Sequence, residues 1–441
     1  MTTRNNAIEI FKAAVAAVHP KKLISAHLVI QDYSLHISDQ QFLLNALPDI
    51  YVIGAGKASA AMAKCVEDIL GDLITSGIVV AKNDHFLPLK KIVCIEAAHP
   101  VPDEQGLAAT TATVQLLKQV KENDIIICLI SGGASSLWID VPPGASLTDV
   151  QQTFELLLKS GANIYEVNTI RKHLSTIKGG QLLRHAPKAR WFSLIISDVP
   201  GDDLSVIASG PTVPDHSSFN DVNALLQQYN LNSQLPTSIL QHFKNAAKGL
   251  TLETPKSGDP LFKQVMNTII GSNAIALEAA AAKAKQLGYH IASINPGLTG
   301  NAATVGRELI HTAKKYSGIR PACFLSGGET TVTVTGKGKG GRNQHLVFSA
   351  LLEMEAMADQ TFSNTITFLS AGTDGTDGPT DAAGAIADGE TLSMVYQKKL
   401  DAQQYFEDND AYHFFEQTGS LIITGATQTN VMDLVVMIVD D

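Results

Sequence analysis

Residues 47–70 read LPDIYVIGAGKASAAMAKCVEDIL. An apolar strand at 47–53 runs into a glycine turn at 54–59, and an Ala-rich segment with helical spacing continues to residue 70. A strand, a glycine turn and a helix in this order open a βαβ unit. The stretch therefore predicts an α/β protein whose first domain is Rossmann-like with a parallel sheet.

The turn itself has the composition of a phosphate-binding turn. Gly54 and Gly56 let backbone N–H groups approach an anion closely, and Lys57 stands at the helix start, where a cation is unfavourable unless an anion lies there. A dinucleotide-binding turn is one alternative, but Ser59 takes the third glycine position and no clear acidic residue ends the 77–80 strand. A tight turn whose lysine faces water is the other. We favour an anion contact through Lys57.

A second glycine-rich stretch, residues 324–344, reads FLSGGETTVTVTGKGKGGRNQ. A strand ending in Ser-Gly-Gly is followed by a period-two segment at 331–335, and a loop of four glycines and two lysines precedes Arg342, which opens a predicted helix. Such a loop before a helix suits a phosphate. Gly336 and Gly341 have P-loop spacing, but Arg342 and Asn343 stand where Lys and Ser or Thr should be. A solvated hairpin loop is the alternative.

Three apolar strands end in small residues. In open α/β sheets ligands bind beyond the carboxyl ends of strands, so these ends predict backbone-lined contacts, although Gly and Ser also form ordinary turns. The three ends are Ser131-Gly132-Gly133, Ser326-Gly327-Gly328 and Ser370-Ala371-Gly372.

Carboxylates follow two of the predicted strands. Asp198 comes directly after the 191–197 strand, where it can hold Mg²⁺ or take a hydroxyl proton, whereas Asp202 and Asp203 suit helix caps. Asp374 and Asp377 lie on a glycine loop after the 365–369 strand and suggest a metal site or a general base. Asx turns are the alternative for that loop.

A polar stripe lies in the predicted helical stretch at 163–185. Asn168, Arg171 and Lys172 have i, i+3, i+4 spacing, and Lys178 follows them. The stripe predicts either an anion-facing surface or an ordinary solvated face.

Composition narrows the class of protein. The 441 residues are 45% hydrophobic and 17% charged, which describes a globular protein of two or three domains. The net charge of −10 argues against a nucleic-acid partner. Four cysteines without CxxC spacing fit a reducing compartment, and no signal peptide or membrane-spanning run is visible, so we expect a cytoplasmic protein without a membrane partner.

The domain boundary is expected near residue 255, in a polar stretch that separates two α/β series. The first domain is assigned to residues 1–250. The second, with a mixed sheet and the GGRNQ and DGTDG loops, is assigned to residues 261–441. Glycine loops, a strong cation in each half and Asp-bearing strand ends are the set that phosphoryl transfer needs, which predicts a kinase.

Motifs along almost the whole chain resemble the D-glycerate 2-kinase family, also called class II glycerate kinases and once linked to hydroxypyruvate reductase. They are IGAGKAS at 53–59, HPVPDEQG at 99–106, ISGGASSL at 130–137, NTIRKHLSTIKGG at 168–180, SDVPGDDLSVIASGPT at 197–212, GGRNQ at 340–344 and AGTDGTDGPTDAAGA at 371–385. The resemblance implies ATP-dependent phosphorylation of the 2-hydroxyl of D-glycerate, in a cleft between the two domains. It maps the family's catalytic lysine and arginine onto Lys57 and Arg342.

Site residues are assigned from the motifs and the resemblance together. We expect Lys57, Arg342 and Asp198 to be catalytic, Asp198 and Asp377 to hold Mg²⁺, and Lys337 and Lys339 only to flank the site. Substrate or ATP is expected at Gly54, Gly56, Ser131, Gly132, Gly133, Arg171, Ser326, Gly327, Gly328, Glu329, Asn343 and Asp374.

The sequence departs from the family pattern in two places. The family usually has Glu after GRNQ, where this chain has His345, and its TGPTGTN-like loop reads TGATQTN at 424–430. Loss of Pro and Gly changes the allowed backbone angles of that loop. An NAD(P)H-dependent hydroxypyruvate reductase and a non-catalytic anion sensor are the alternative functions.

Overall fold

The structure is a computed structural model that describes residues 2–357 and 359–441. Its helices are α1 (Thr3–Ala17), α2 (Pro20–His27), α3 (Ser59–Leu70), α4 (Glu104–Leu117), α5 (Ala134–Leu137), α6 (Leu147–Lys159), α7 (Ile164–His173), α8 (Phe219–Gln228), α9 (Thr237–Ala247), α10 (Asn273–Gln286), α11 (Ala302–Lys315), α12 (Arg342–Ala356), α13 (Gln360–Ser363), α14 (Gly389–Lys398), α15 (Ala402–Glu407) and α16 (Ala411–Thr418).

The strands are short and mostly apolar. They are β1 (Leu28–Gln31), β2 (Ser34–Ile37), β3 (Gln40–Leu43), β4 (Ile50–Ala55), β5 (Ile74–Lys82), β6 (Ile92–Ala97), β7 (Ile125–Ile130), β8 (Arg190–Ile196), β9 (Val265–Gly271), β10 (His290–Leu298), β11 (Ala322–Gly328), β12 (Ile366–Gly372), β13 (Gly384–Ala387), β14 (Leu421–Ile422) and β15 (Asp433–Val439).

The chain forms two compact units. The first unit is Leu23–Ile270, and the second combines residues 2–22 with 271–441. This division differs from the expected boundaries in two places. Helix α1 packs with the second unit, because its buried stripe, which includes Ile10 and Phe11, lies against α10, β12 and β15. Strand β9, expected to open the second domain, instead extends the first unit's sheet beside β8.

The first unit is built on a six-stranded sheet in the order β6-β5-β4-β7-β8-β9. The four strand pairs from β6 to β8 are parallel, and β4 and β7 are buried at every position, as expected for strands covered on both faces. If these six strands are numbered along the chain, with β4 as strand 1 and β9 as strand 6, the order is 3-2-1-4-5-6. This is the strand order of doubly wound Rossmann domains. The order reverses between β4 and β7, which is where such sheets bind ligands. A small antiparallel sheet, β1-β2-β3, completes the unit.

The second unit contains a mixed six-stranded sheet in the order β10-β11-β15-β12-β13-β14. Strands β10 and β11 are parallel, whereas β15 runs antiparallel to both β11 and β12. The register places Asp433, at the start of β15, opposite Gly328 on one side and Gly372 on the other. In the core of this unit, Phe348 of α12 packs against Phe414 and Phe415. The predicted α/β class, with one parallel and one mixed sheet, is confirmed.

The period-two segment at 331–335 does not form a strand. Thr331 makes an isolated bridge to Asn301, and the rest of the segment has no ladder partner in the described structure. The backbone of this segment bonds to the side chain of Asn409 instead. That side chain accepts from the Thr335 N–H at 2.8 Å and donates to the Thr333 carbonyl. In the part of the chain described, no helix combines the length and apolarity needed to cross a membrane.

Candidate active site

The two glycine turns at the reversal point of the first sheet interlock. The Lys57 N–H donates to the Gly132 carbonyl at 2.8 Å, and the Ala58 N–H donates to Ser131 Oγ at 2.9 Å. A Cβ on Gly56 would lie 2.1 Å from Ser131 Oγ, and Gly56 has φ +134°. Gly56 is therefore required for loop contact and backbone conformation. The interlocked turns hold the start of the Lys57 side chain at the carboxyl edge of β4.

His99 is a neighbour of Lys57 that sequence reasoning did not assign to the site. A Cβ on Gly133 would lie 2.9 Å from His99 Cδ2 and 3.5 Å from Lys57 Cγ, so the imidazole and the lysine flank the same glycine. Burial, together with the charges of Lys57, Lys82 and His85, lowers the pKa of His99 to about 4. The ring is therefore neutral at pH 7. The available signal in the sequence was that His99 opens the HPVPDEQG motif.

Three residues of the predicted polar stripe are internal supports. Asn168 accepts from Ser209 Oγ at 2.9 Å, and Lys172 pairs with buried Asp215 at 3.2 Å. Lys178 is buried and donates to the Ser135 and Trp138 carbonyls at 2.9 and 2.6 Å. Burial lowers the pKa of Lys178 to about 8. Neither the anion-facing surface nor the solvated face was a correct prediction for these three, because their polar atoms pair within the unit.

Arg171 differs from its stripe neighbours. Its guanidinium carbon lies 4.8 Å from the centre of the Phe154 ring, and its Nε is buried without a hydrogen-bond partner among the described residues. Burial also lowers its pKa. An orphaned donor of this kind costs free energy, so Arg171 stays a predicted ligand contact.

Asp198 lies on the same edge of the sheet as the interlocked turns. It follows β8 by two residues, and β8 runs parallel to β7, so its loop leaves the sheet at the carboxyl end. Asp203, predicted to be a cap, accepts from the Ser205 N–H at 2.9 Å. Asp198 lies at the edge where such sheets bind ligands, and its catalytic and metal-binding roles stay predictions.

In the second unit, Arg342 is the first residue of α12 and is held by two carboxylates. Its Nε and Nη2 donate to Asp433 at 2.5 and 3.0 Å, and Nη1 lies 2.7 Å from Glu329. Burial alone would lower the pKa of Arg342, but the hydrogen bond and charge of Asp433 and the charge of Glu329 raise it. The guanidinium is a permanent, oriented cation. Asp433 was missed by sequence reasoning, although an acidic residue opening an apolar strand was a visible signal.

Asp377 occupies the position at α12 that we expected for a phosphate. Its carboxylate accepts from the backbone N–H groups of Asn343 at 3.0 Å and Gln344 at 2.8 Å, the free donors of a helix start. Burial raises the pKa of this carboxyl to about 6, against the effect of these hydrogen bonds. The phosphate prediction for this helix end is therefore corrected. A metal-ligand role for Asp377 stays a prediction, and the geometry favours a structural one.

The loop from Gly336 to Lys339 is also filled by the protein's own acidic segment, residues 408–410. The N–H of Gly336 donates to Asn409 Oδ1, that of Lys337 to Asp408 Oδ1 and that of Lys339 to Asp410 Oδ1, at 2.8–2.9 Å. A Cβ on Gly338 would lie 2.3 Å from the Asp410 Cβ. The loop is neither a solvated hairpin nor an open phosphate cradle. Its glycines permit close approach of another chain segment.

The small-residue strand ends of the second unit are close-packed. A Cβ on Gly327 would lie 1.8 Å from Asn273 Oδ1, and the Asn273 amide donates to the Val431 and Asp433 carbonyls at 2.8 and 3.1 Å. Ser370 Oγ donates to Asn343 Oδ1 at 2.5 Å. These contacts bring the ends of β11 and β12 and the start of α12 together around Arg342.

Asp374 makes the Asx turn that was its alternative interpretation. Its Oδ1 accepts from the Thr376 N–H at 3.0 Å and from Thr376 Oγ1 at 3.1 Å. Its contact with a ligand stays a prediction. Within residues 2–357 and 359–441, no group of three or more His, Cys, Asp or Glu side chains is arranged to hold a metal ion.

Comparison with known proteins decides the family. A domain of unknown function, DUF4147, matches residues 6–244, and the MOFRL family matches residues 322–433. A glycerate 2-kinase of Pyrococcus horikoshii is 37% identical over 100% of this chain and 98% of its own, and a D-glycerate 2-kinase of Thermotoga maritima is 37% identical over 98% and 97%. The chain belongs to the glycerate 2-kinase family. The crystal structure of a glycerate kinase from Thermotoga maritima matches with a TM-score of 0.85 and 36% identity, covering 99% of each chain.

The first departure from the glycerate 2-kinase pattern, His345, is accommodated by stacking. Its ring lies 4.3 Å from that of Phe406 at an interplanar angle of 12°, and the residue is buried. Burial lowers the pKa of His345 to about 4. A neutral aromatic contact thus stands where the family usually has a carboxylate.

The second departure keeps a glycine-type backbone without glycine. Gln428 has φ +62°, in the left-handed region, at the position where the family usually has Gly. The residues on either side anchor it, since Thr427 Oγ1 donates to the Thr373 carbonyl at 2.5 Å and Thr429 Oγ1 to the Val18 carbonyl at 2.7 Å. The turn is therefore imposed by its neighbours.

Proposed function

We propose that this chain transfers the terminal phosphoryl group of ATP to the 2-hydroxyl of D-glycerate, giving 2-phosphoglycerate and ADP. The observation that carries the proposal is the similarity to proteins named glycerate 2-kinase over the full length, including both units. Each unit also supplies one cation suited to that chemistry, Lys57 in the first and Arg342 in the second.

Phosphoryl transfer depends on positioning and on neutralising charge more than on covalent chemistry. Lys57 projects from the reversal point of the first sheet, and Arg342 is oriented by its carboxylate partners. We assign one cation to the transferring phosphoryl group and the other to the glycerate carboxylate. The KM values of the Lys57 and Arg342 variants for ATP and glycerate will distinguish the two assignments.

Mg²⁺ is part of the proposal as the partner of ATP, where it would neutralise phosphate charge. Magnesium in such enzymes commonly binds through one or two carboxylates together with substrate phosphates, so a cage of protein ligands is not required. We assign Asp198 to this contact because its loop leaves the first sheet at the carboxyl end of β8, where such sheets bind ligands. Asp377 is instead assigned to the start of α12, whose N–H groups donate to it. All four cysteines carry reduced thiols. Reduced thiols fit a reducing compartment, and we place the enzyme in the cytoplasm.

A hydroxypyruvate reductase is the second candidate, because the first sheet has the strand order of dinucleotide-binding domains. Against it, β5 ends in Lys82, where an NAD enzyme has an acidic residue for the ribose, and Ser59 replaces the third glycine. The kinase is therefore favoured.

The test is incubation with D-glycerate and Mg-ATP, followed by quantitation of ADP and identification of 2-phosphoglycerate by ³¹P NMR. Lys57→Ala and Arg342→Ala should each lose at least about 100-fold in kcat/KM, in line with the loss of a charge-stabilising group. Lys337→Ala is the matched control, since its loop is held through the backbone N–H.

Near-wild-type rates for Lys57→Ala or Arg342→Ala would show that the site assignment is wrong. Oxidation of NADH with hydroxypyruvate and no ATP turnover would replace the kinase by the reductase. Binding of glycerate without either turnover would indicate an anion sensor.

A further inference from the structure

Arg342 lies between two carboxylates that differ in burial. The Asp433 side chain is 5% exposed and binds the Nε and Nη2 edge, whereas Glu329 is 49% exposed and binds Nη1. One side of the guanidinium therefore faces the interior of the unit and the other faces accessible space.

The buried side is fixed by several elements. Asp433 is paired through β15 with both β11 and β12, and its carbonyl accepts from Asn273 Nδ2. The start of α12 is held separately by Asp377. Removing the Asp433 carboxylate would leave Arg342 anchored by its backbone but free to change rotamer, because the bidentate contact sets the plane of the guanidinium.

The Glu329 side behaves differently. Glu329 directly follows β11 and its backbone N–H donates to the Leu298 carbonyl at 2.9 Å, but its side chain is half-exposed. Ion pairs of that exposure contribute little net stability. An incoming carboxylate or phosphate offers Nη1 the same kind of contact as the glutamate. Replacing Glu329 by a substrate anion at Nη1 therefore has a small free-energy cost.

We propose that Asp433 is a positioning residue for Arg342, and that Glu329 is an internal anion which an anionic group of the substrate displaces from Arg342 Nη1. The inference rests on the proposed function, in which Arg342 contacts phosphoryl or carboxylate oxygens. It assigns Glu329 to competition with the substrate, where the motif had suggested direct binding.

The first test is steady-state kinetics of Glu329→Gln, with KM measured for both D-glycerate and ATP. The amide removes the competing charge, so KM for the substrate that meets Arg342 should fall at least threefold. Glu308→Gln, an exposed position on α11, is the matched control and should leave both values unchanged. If KM for both substrates is unchanged or rises, the competing role of Glu329 is refuted. A wild-type protein without glycerate phosphorylation would instead refute the proposed function.

The second test is a double-mutant cycle. Asp433→Asn should lower kcat at least tenfold in the wild-type background but less than twofold in the Arg342→Lys background, because the two residues act as one unit. Thermal unfolding identifies variants that do not fold. If Asp433→Asn does not fold, Asp433→Glu, which keeps the carboxylate charge but moves it, takes its place in the same cycle. An equal fold-loss in both backgrounds would overturn the positioning role.

Discussion

The carboxylate of Asp377 accepts a hydrogen bond from the backbone N–H of Gln344 over 2.8 Å, and so caps α12 from a distant loop. Asp377→Asn should destabilise the protein by about 1–3 kcal/mol, because an amide presents only one acceptor to the paired N–H donors. Urea unfolding measures the loss.

Asp374→Asn is the control for this prediction, since its Asx turn is local and an asparagine can make the same turn. If Asp377 were instead a magnesium ligand, Asp377→Asn would raise the Mg²⁺ concentration needed for activity and leave the urea midpoint unchanged.

Gly338 tests whether the loop at 336–339 is closed by protein or open to nucleotide. Gly338→Ala should cost about 1–3 kcal/mol, because the new Cβ meets the backbone of the 408–410 segment. Gly297→Ala, where a Cβ has its nearest neighbour at 3.8 Å, should stay within about 0.5 kcal/mol of wild type. A Gly338→Ala protein of normal stability with a raised KM for ATP would contradict the closed loop.

The pH dependence of stability should contain a contribution from His345. Its pKa is about 4 in the folded protein against 6.5 for a histidine side chain in water, so the unfolded chain binds more protons between these pH values. Stability then rises with pH across this window and is lost as pH falls through it. Between pH 7 and pH 5, His345→Phe should lose about 1–2 kcal/mol less stability than wild type.

The measurement is urea unfolding at both pH values. His290→Gln, which removes an exposed histidine on β10, is the control variant. An unchanged pH dependence in His345→Phe would mean that the ring is not a buried neutral imidazole.

The left-handed Gln428 gives a prediction about backbone strain. Gln428→Gly should be neutral or stabilising by up to about 1 kcal/mol, because relief of the positive φ is offset by the greater freedom of glycine in the unfolded chain. Gln428→Val should be destabilising by about 1–2 kcal/mol, since a β-branched residue is strained there. Equal stability of the two variants would show that the turn relaxes to another conformation.

Local patterns were sufficient for much of the fold. Strand β4, its glycine turn and α3 were predicted from a continuous apolar run, two glycines and an Ala-rich segment, all within about one βαβ unit. Helix α1 shows the limit of local patterns, because an amphipathic sequence shows that a face is buried and not which core buries it.

The candidate site was harder to predict from the sequence, because the same backbone N–H groups can bind either a phosphate or one of the protein's own carboxylates. A glycine loop with free N–H groups attracts phosphate and carboxylate by the same chemistry, and the sequence alone does not show that Asp377 and residues 408–410 fill those positions. Arg342 and Lys57 were predicted as site residues from their motifs, and their catalytic roles stay predictions. Asp433 was missed because its contact joins positions 91 residues apart.

The order of β15 within its sheet has a consequence for synthesis. The strand lies between β11 and β12, and α1 packs against it. The core that buries α1 is therefore complete only when residues 433–439 have been synthesised. Leu23–Ile270, in contrast, is one uninterrupted segment and has all its sheet partners once residue 271 has left the ribosome. Domains generally fold as units during translation. We therefore expect the first unit to complete its sheet during translation, whereas α1 and the second sheet are complete only after residues 433–439 have been made.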